Sequence, residues 1–428
     1  MAIGKSDPVS YTCICNQPGS VLLFYRYFAN TPALPAEYID KIQDLETLAA
    51  FHRSLGEKYD LAGKIRVSKE GFNITIAGSQ AGIEAYVSAC CSHWSFSGLK
   101  LEYDSESPNE EVQKRRNAFF KPTRGCRCVF SGILNVRVTA EITPLGVTNY
   151  APSTWQAVQA LEPALFHQKC LEEDVKLIDV RNHYESKIGY FVSPKGGEAL
   201  KPPIRRFSQW PQWVKEHGDE ISGAVTDPGE GIEEPQVLTY CTGGIRCEKG
   251  VRWMHEYLSR DSRGSKTIYT LKGGIAAYLT WMEAEITAGR KGLSDSLFKG
   301  QNYVFDARGS MGLPGALPVS HCHSCGIPSH RLGKCGSPGC HLVLVVCPTC
   351  ELGDVRCCDS CRELHGGKEL AAEIPGKSAK PICECEQERE KELWGGERVQ
   401  EPRTQGWRRK QKMDGAAKRL DIRITLGD

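Results

Sequence analysis

Gln236-Val-Leu-Thr-Tyr-Cys241-Thr-Gly-Gly-Ile-Arg246-Cys247-Glu-Lys249 is the stretch from which the rest of the chain is read. Val237 to Tyr240 are apolar or β-branched, free of glycine and proline, and predict a short buried strand. Val251, Met254, Tyr257 and Leu258 then recur at helical spacing. Cys241 therefore stands where a strand ends and a tight turn leads into a helix N-terminus. Gly243 and Gly244 let the backbone curl so that successive N–H groups face one centre. Such a nest, with the positive helix end behind it, stabilises an anion. A thiolate held there has a lowered pKa and is a nucleophile at neutral pH.

The spacing narrows the chemistry. From Cys241 to Arg246 the pattern is C-x4-R, whereas a cysteine phosphatase loop is C-x5-R, one residue longer to surround a phosphate. Here the next position is Cys247. The loop Cys241, Thr242, Gly243, Gly244, Ile245, Arg246 resembles the active-site loop of rhodanese-like sulfurtransferases, which cradles a cysteine persulfide. The plain alternative is a buried cysteine at a strand end beside an incidental Gly-Gly turn. We expect Cys241 to be the reactive thiolate, because it opens the nest, with Arg246 adding positive charge. Cys247, in the first helical turn, is either a resolving thiol or a small residue packed under the loop.

A chain of 428 residues is too long for one core and predicts two to four domains. Its formal net charge of +2 gives no global polyanion signal. No secretory signal, transit peptide or long apolar run is evident, so we expect no membrane span and a cytoplasmic protein, with an organelle left open. Of 20 cysteines, nine fall between Cys322 and Cys361. In a reducing compartment, clustered C-x2-C pairs point to metal before disulfides.

Taken in order, residues 1 to 20 look irregular and carry an isolated Cys13-x-Cys15. Strands are expected at Val21–Phe28, Lys64–Ser68, Asn73–Ala77, Leu99–Tyr103 and Val136–Ile142. Helices are expected at Leu45–Tyr59 and Ile83–Ala89, with a hairpin turn at Glu70-Gly71. The order β-α-β-β-α-β is that of a ferredoxin-like sandwich. Gly63-Lys-Ile-Arg-Val-Ser-Lys-Glu-Gly71-Phe-Asn73 and Val136-Arg-Val-Thr-Ala-Glu-Ile142 resemble the N-terminal domain of the tRNA uridine(34) hydroxylase family. That family joins this domain to a rhodanese-like one. The basic residues Lys64, Arg66, Lys69 and Arg137, with Arg115, Arg116 and Lys121, could line an RNA phosphate face; an ordinary solvated sheet face is the alternative. Residues 121 to 135 depart from the family, which runs more directly into the last strand.

Ser153–Leu161 is expected to be a helix capped by Ser153. Val175-Lys-Leu-Ile-Asp179-Val-Arg181 fits a buried strand ending in an acidic turn and resembles the D-x-R signature of a rhodanese-like domain. Asp179 and Arg181 are expected to pin loops beside the site without touching substrate. Phe207–Trp213, Lys272–Tyr278 and Ser296–Arg308 also resemble segments of the hydroxylase family, the last as a lid or a brace. Strands alternating with helices predict a parallel sheet with functional loops at strand C-terminal ends.

Zinc prefers four tetrahedral thiolate or imidazole ligands, and a C-x2-C turn presents two on one side. Cys322, Cys325, Cys335, Cys340, Cys347, Cys350, Cys358 and Cys361 therefore predict one or two structural zinc sites. Cys357 is an equal candidate for the place of Cys358, and His321, His323, His341 and His365 are possible substitutes. Spacing alone leaves iron–sulfur ligation open. The expected architecture is multidomain α/β: a ferredoxin-like, acylphosphatase-like domain at 1–150, a rhodanese-like domain at 151–310, a cysteine-rich zinc module at 311–390 and a basic, disordered tail at 391–428.

The resemblance implies oxygen-dependent 5-hydroxylation of a wobble uridine in tRNA, with molecular oxygen as co-substrate and Cys241 or Cys247 as the essential thiol. Two other functions compete. One is a sulfurtransferase taking sulfur from a donor to a thiol acceptor; the other is a non-enzymatic scaffold. The oligomeric state is not encoded in any pattern here.

Overall fold

Alternation along Gly19–Tyr27 (β1) sends Leu22 and Phe24 to one side and Leu23, Tyr25 and Tyr27 to the other. This split organises the N-terminal part of the computed structural model, which describes residues 19–102, 109–172, 175–195, 197–222, 236–260, 267–337, 340, 342–363 and 383–394. Cys13, Cys15, His341, His365 and the basic tail beyond residue 394 lie outside the described residues. β1 pairs antiparallel with Gly71–Ser79 (β3), which pairs antiparallel with Ala62–Ser68 (β2). Leu45–Lys58 (α1), Gln80–Cys91 (α2) and Glu110–Phe120 (α3) cover one face. Asp44, Ser79 and Asn109 cap them by accepting backbone N–H groups. Phe24, Ile65, Phe72, Ile74 and Tyr86 form the core between sheet and helices.

The edges differ from expectation. Leu99–Tyr103 forms no strand among its described residues, because Lys100 takes φ 54° and turns the chain. The antiparallel edge beside β1 is instead Thr123–Arg124 (β4), inside the segment that departs from the family pattern. That segment is folded: its Val129 and Phe130 pack on Val21, Ala62 and Ala77. The strand expected at Val136–Ile142 is Leu134–Val138 (β5), parallel to β2 on the opposite edge. It ends early because the chain turns at Thr139, whose hydroxyl donates to Glu141 O, and Glu141 leaves the sheet for a lysine on another element. The order is β4-β1-β3-β2-β5.

A second sheet is wholly parallel, in the order β6-β11-β10-β7: Gln159–Leu161 (β6), Ile268–Leu271 (β11), Gln236–Tyr240 (β10) and Val175–Asp179 (β7). It is clothed on both faces, as parallel sheets require. Pro163–Lys169 (α4) and Gly274–Thr287 (α9) lie on one side. Trp210–Glu216 (α6) and Ile245–Arg260 (α8) lie on the other. Short helices His183–Ser186 (α5) and Gly218–Ser222 (α7) complete the layer. The helix expected over Ser153–Leu161 does not form. Its backbone is claimed from outside: Ser153 N–H donates to Glu256, and the carbonyls of Trp155 and Val158 accept from Arg252. Its last residues become β6, and the helix starts only at Pro163.

Gly189–Ser193 (β8) pairs with Gly197–Glu198 (β9) and Phe298–Gly300 (β12). Asn302–Tyr303 (β13) pairs with Ser310–Met311 (β14). The cysteine-rich part holds the hairpin Leu332–Lys334 (β15) and Val343–Val345 (β16), then Pro348–Glu351 (α10), Asp359–Glu363 (α11) and Glu384–Trp394 (α12). The chain is thus a multidomain α/β protein with a ferredoxin-like N-terminal sheet, a parallel sheet and a small cysteine-rich module. No helix among the described residues is long and apolar enough to cross a membrane.

Candidate functional site

Cys241 follows β10 directly and α8 begins at Ile245, so the cysteine opens the predicted strand–turn–helix. Gly244 takes φ 100° and donates its N–H to the Cys241 sulfur at 3.2 Å. The loop carbonyls turn the other way, onto the start of α9: Ile275 N–H donates to Cys241 O at 2.9 Å, and Ala276 N–H to Thr242 O at 3.0 Å. Gly274, at φ 65°, fits underneath; a Cβ there would lie 2.5 Å from Cys241 O. One helix start pins the carbonyls while the other offers its N–H groups to sulfur.

The thiol is fully buried, at 0% exposure. Burial by itself would push its pKa up. The Cys247 thiol, the Arg246 charge and the N–H groups of Cys247 and Arg246 outweigh that and hold it at about 6. Cys247 is driven the other way, first by burial and then by donating to the Cys241 sulfur. The two shifts run in opposite directions: the surroundings favour ionisation of Cys241 and oppose that of Cys247.

Arg246 does not point freely at the sulfur. It forms a two-pronged pair with Glu185 at 2.6 and 2.8 Å, and Thr242 Oγ1 donates to the same carboxylate at 3.0 Å. Glu185 is 0% exposed. Its burial would raise its pKa, but Arg246 brings it below the usual carboxylate range. Nothing in local pattern announces this pair, because the partners are 61 residues apart. Asp179 and Arg181 pair with each other, Arg181 Nη2 donating to Asp179 Oδ2 at 2.7 Å, and Arg181 also donates to Gly189 O. They tie the end of β7 to the start of β8.

The roof of the site comes from the N-terminal sheet, a feature that local pattern does not announce. Leu23, Tyr25 and Tyr27, the face of β1 away from its helices, rest on the loop. Leu23 Cδ2 lies 3.0 Å from where a Gly243 Cβ would be, and the Tyr25 hydroxyl 2.5 Å from that of Gly244. Tyr25 donates to Glu248 at 3.4 Å and Tyr27 to Ile245 O at 3.3 Å. Lys121, in left-handed backbone at φ 47°, holds its ammonium 5.5 Å from the Tyr25 ring centre. Burial lowers its pKa to about 8, against the pull of Cys241 and Glu248. Lys249, 2% exposed, bonds Glu70 at 2.7 Å and Glu141 at 2.6 Å, locking α8 to the β2–β3 turn and to the chain beyond β5.

The same sheet face continues outward with polar side chains. Strand register places Tyr25 beside Asn73, Asn73 beside Arg66, and Arg66 beside Arg137, with Lys64 two positions along. Lys64, Arg66 and Arg137 thus share the exposed face that begins at the thiol roof. Lys69 does not; it sits in the turn and bonds Gln43 on the helical side. The Ser296–Arg308 segment is a brace between the two sheets. Phe305 O accepts from Lys64 at 2.9 Å, its ring lies 5.9 Å from the Arg246 guanidinium, and Arg308 reaches Thr123 at 2.8 Å.

The cysteines interleave. Sulfurs of Cys322, Cys325, Cys347 and Cys350 lie within 4.8 Å of one another, as do those of Cys335, Cys340, Cys357 and Cys361. Either group could hold a metal ion. Cys357 stands in the second of these groups, and Cys358 in a further one with Cys357, Cys361 and Cys383. His323 is turned away, bonded to Arg356 O at 3.0 Å.

Residues 19–142 match the family described as UPF0176 acylphosphatase like domain, and residues 299–362 match Rhodanase C-terminal. The tRNA uridine(34) hydroxylase of Streptococcus uberis is 30% identical over 345 residues, covering 80% of this chain and 88% of that protein. The Streptococcus agalactiae (serotype III) protein of the same name is 29% identical with the same coverage. Rhodanese-like domain-containing protein 6 of Arabidopsis thaliana is 29% identical over 363 residues, 82% of this chain but only 54% of that longer protein.

Proposed function

Because the chain belongs to the tRNA uridine(34) hydroxylase family, we propose that the Cys241 thiolate is the reacting group with which it modifies a wobble uridine of tRNA. The chain is a tRNA-modifying enzyme; neither a stand-alone sulfurtransferase nor a scaffold is favoured by its relatives. The reaction proposed is 5-hydroxylation, with molecular oxygen as co-substrate. One observation carries the assignment of the site: the face that roofs the thiolate runs without interruption into Lys64, Arg66 and Arg137. A phosphate backbone laid on those cations would bring an unpaired base toward the sulfur.

Each group has a part in this proposal. The amides of the loop and Cys247 keep Cys241 ionised. Glu185 fixes Arg246 so that its charge lies beside the sulfur instead of swinging into solvent. Asp179 and Arg181 hold the neighbouring strands. The Cys322 and Cys335 groups would hold structural zinc, which would fix the module's chain together with the buried Leu342, Leu344, Val346 and Val355.

The test is mass spectrometry of wobble uridines in a strain deleted for its own family member. Expression of this chain should restore the hydroxylated nucleoside, and the Cys241→Ser variant should not. Restoration by Cys241→Ser would remove the thiol from the mechanism.

A further inference from the structure

Six cysteine sulfurs converge where a single metal ion needs four. Cys335, Cys340, Cys357 and Cys361 form one mutually close set, and Cys357, Cys358, Cys361 and Cys383 form another. The sets share Cys357 and Cys361. A Zn–S bond of about 2.3 Å with tetrahedral angles puts ligating sulfurs about 3.8 Å apart. The separations here fit: Cys340–Cys357 3.7 Å, Cys357–Cys358 3.7 Å, Cys357–Cys383 3.5 Å and Cys357–Cys361 3.4 Å. All are far longer than a disulfide bond of about 2.05 Å. Within one tetrahedron a sulfur has three neighbours at this spacing. Cys357 has four: Cys340, Cys358, Cys361 and Cys383.

We propose that this cluster binds two zinc ions through shared thiolates. Cys335 and Cys340 are terminal ligands of one ion, Cys358 and Cys383 of the other, and Cys357 and Cys361 bridge both. Each ion then has four sulfurs. The thiol protons leave to solvent on binding. Two divalent ions with six thiolates carry the same net charge of about −2 as one ion with four, so the second ion adds no electrostatic burden. With a single ion, two thiols would stay in the site unligated, although Cys335 and Cys383 are each only 4% exposed. The 3.6 Å contact between Cys340 and Cys383 must lengthen on loading, since terminal ligands of different ions stand farther apart than ligands of one.

The second ion has a structural consequence. Cys383 directly precedes α12, and α12 is held to the chain before α6: Arg389 donates to Pro203 O at 2.8 Å, and Glu386 pairs with Arg205 at 3.1 Å. Arg205 in turn donates to Cys340 O at 2.8 Å. The shared-thiolate cluster thus fastens α12 to the cysteine module and the parallel-sheet layer together.

Full-length protein saturated with zinc alone and then desalted should carry three zinc ions per chain, one in the Cys322 group and two here. X-ray absorption at the zinc edge should contain a metal–metal scattering shell. Cys383→Ser should lower the count from three to two and remove that shell, while α12 becomes open to limited proteolysis. A wild-type count of two or fewer overturns the proposal. So does a count of three without metal–metal scattering, or a Cys383→Ser protein that keeps both. The absorption measurement on wild-type protein stands even if the variant fails to fold.

Discussion

Replacing Cys247 by alanine removes the thiol that donates to the Cys241 sulfur and leaves the loop amides and Arg246 in place. A hydrogen bond to a charged group contributes about 1.5–3 kcal/mol, and about 1.4 kcal/mol corresponds to one pH unit in a titration midpoint. Cys241 should therefore titrate not at about 6 but between about 7 and 8. At pH 6 the thiolate fraction falls from about a half to between about a tenth and a hundredth. The assay is iodoacetamide labelling of the Cys241 peptide, followed by mass spectrometry from about pH 4.5 to pH 10. A more basic thiolate is intrinsically more nucleophilic, so the plateau rises at high pH and the midpoint is the quantity to compare. A midpoint that stays in place or moves down would refute Cys247 as donor. Wild-type protein labelled first at Cys247 would refute the whole assignment of the pair.

Cys241→Ser should abolish tRNA modification, whereas Cys247→Ser, whose hydroxyl still donates, should keep a substantial part of it; nucleoside analysis reads both. Gly274→Ala forces a methyl group to within 2.5 Å of Cys241 O at a left-handed φ, so the variant should lose activity and a few degrees of melting temperature, and an unchanged protein would contradict the packing. Lys249→Met leaves Glu70 and Glu141 without their cation and should cost about 2–4 kcal/mol at pH 7 by thermal denaturation. Burial already raises the Glu70 pKa above its unfolded value, so its ionisation opposes folding as pH rises; the deficit should shrink as pH falls and the carboxyl protonates, and a deficit that grows in acid would be the wrong sign. Arg66→Glu with Arg137→Glu should weaken tRNA binding and flatten its salt dependence by about two phosphate contacts, measured by filter binding across salt concentrations.

What the sequence discloses follows the reach of each interaction. The strand at Val237–Tyr240, the glycine turn and the helix after it are set by neighbours a few residues away, and all were legible. The interleaving of C-x2-C pairs is a topological choice, and the adjacent Cys357 and Cys358 offer no local reason to prefer either. Ser153–Leu161 has helical composition, but its carbonyls are bound by Arg252, 97 residues from Trp155. Leu99–Tyr103 has strand composition, but Lys100 turns at positive φ. Val136–Ile142 stops short because Glu141 is drawn to Lys249, 108 residues away. At the site, alternation in β1 is visible as Leu23, Tyr25, Tyr27, yet what that face covers is decided only when the two sheets meet. Cys383 stands 43 residues from Cys340 and belongs to no C-x2-C pair, so only proximity in space marks it.

The seam over the thiol is made of phenol hydroxyls, ion pairs and a braced loop more than of interlocked aliphatic side chains. Its strongest bonds are the Lys249 pairs with Glu70 and Glu141, made by an ammonium that is 2% exposed. A sulfur with no exposed surface cannot meet a nucleobase while the seam is shut. With Cys241 as the proposed reacting group, the chemistry requires the Tyr25 face to lift off the loop first. While the seam is shut, the Cys241 sulfur is kept from stray oxidants and metals. The enzyme would thus trade peak rate for a thiolate that survives until RNA arrives.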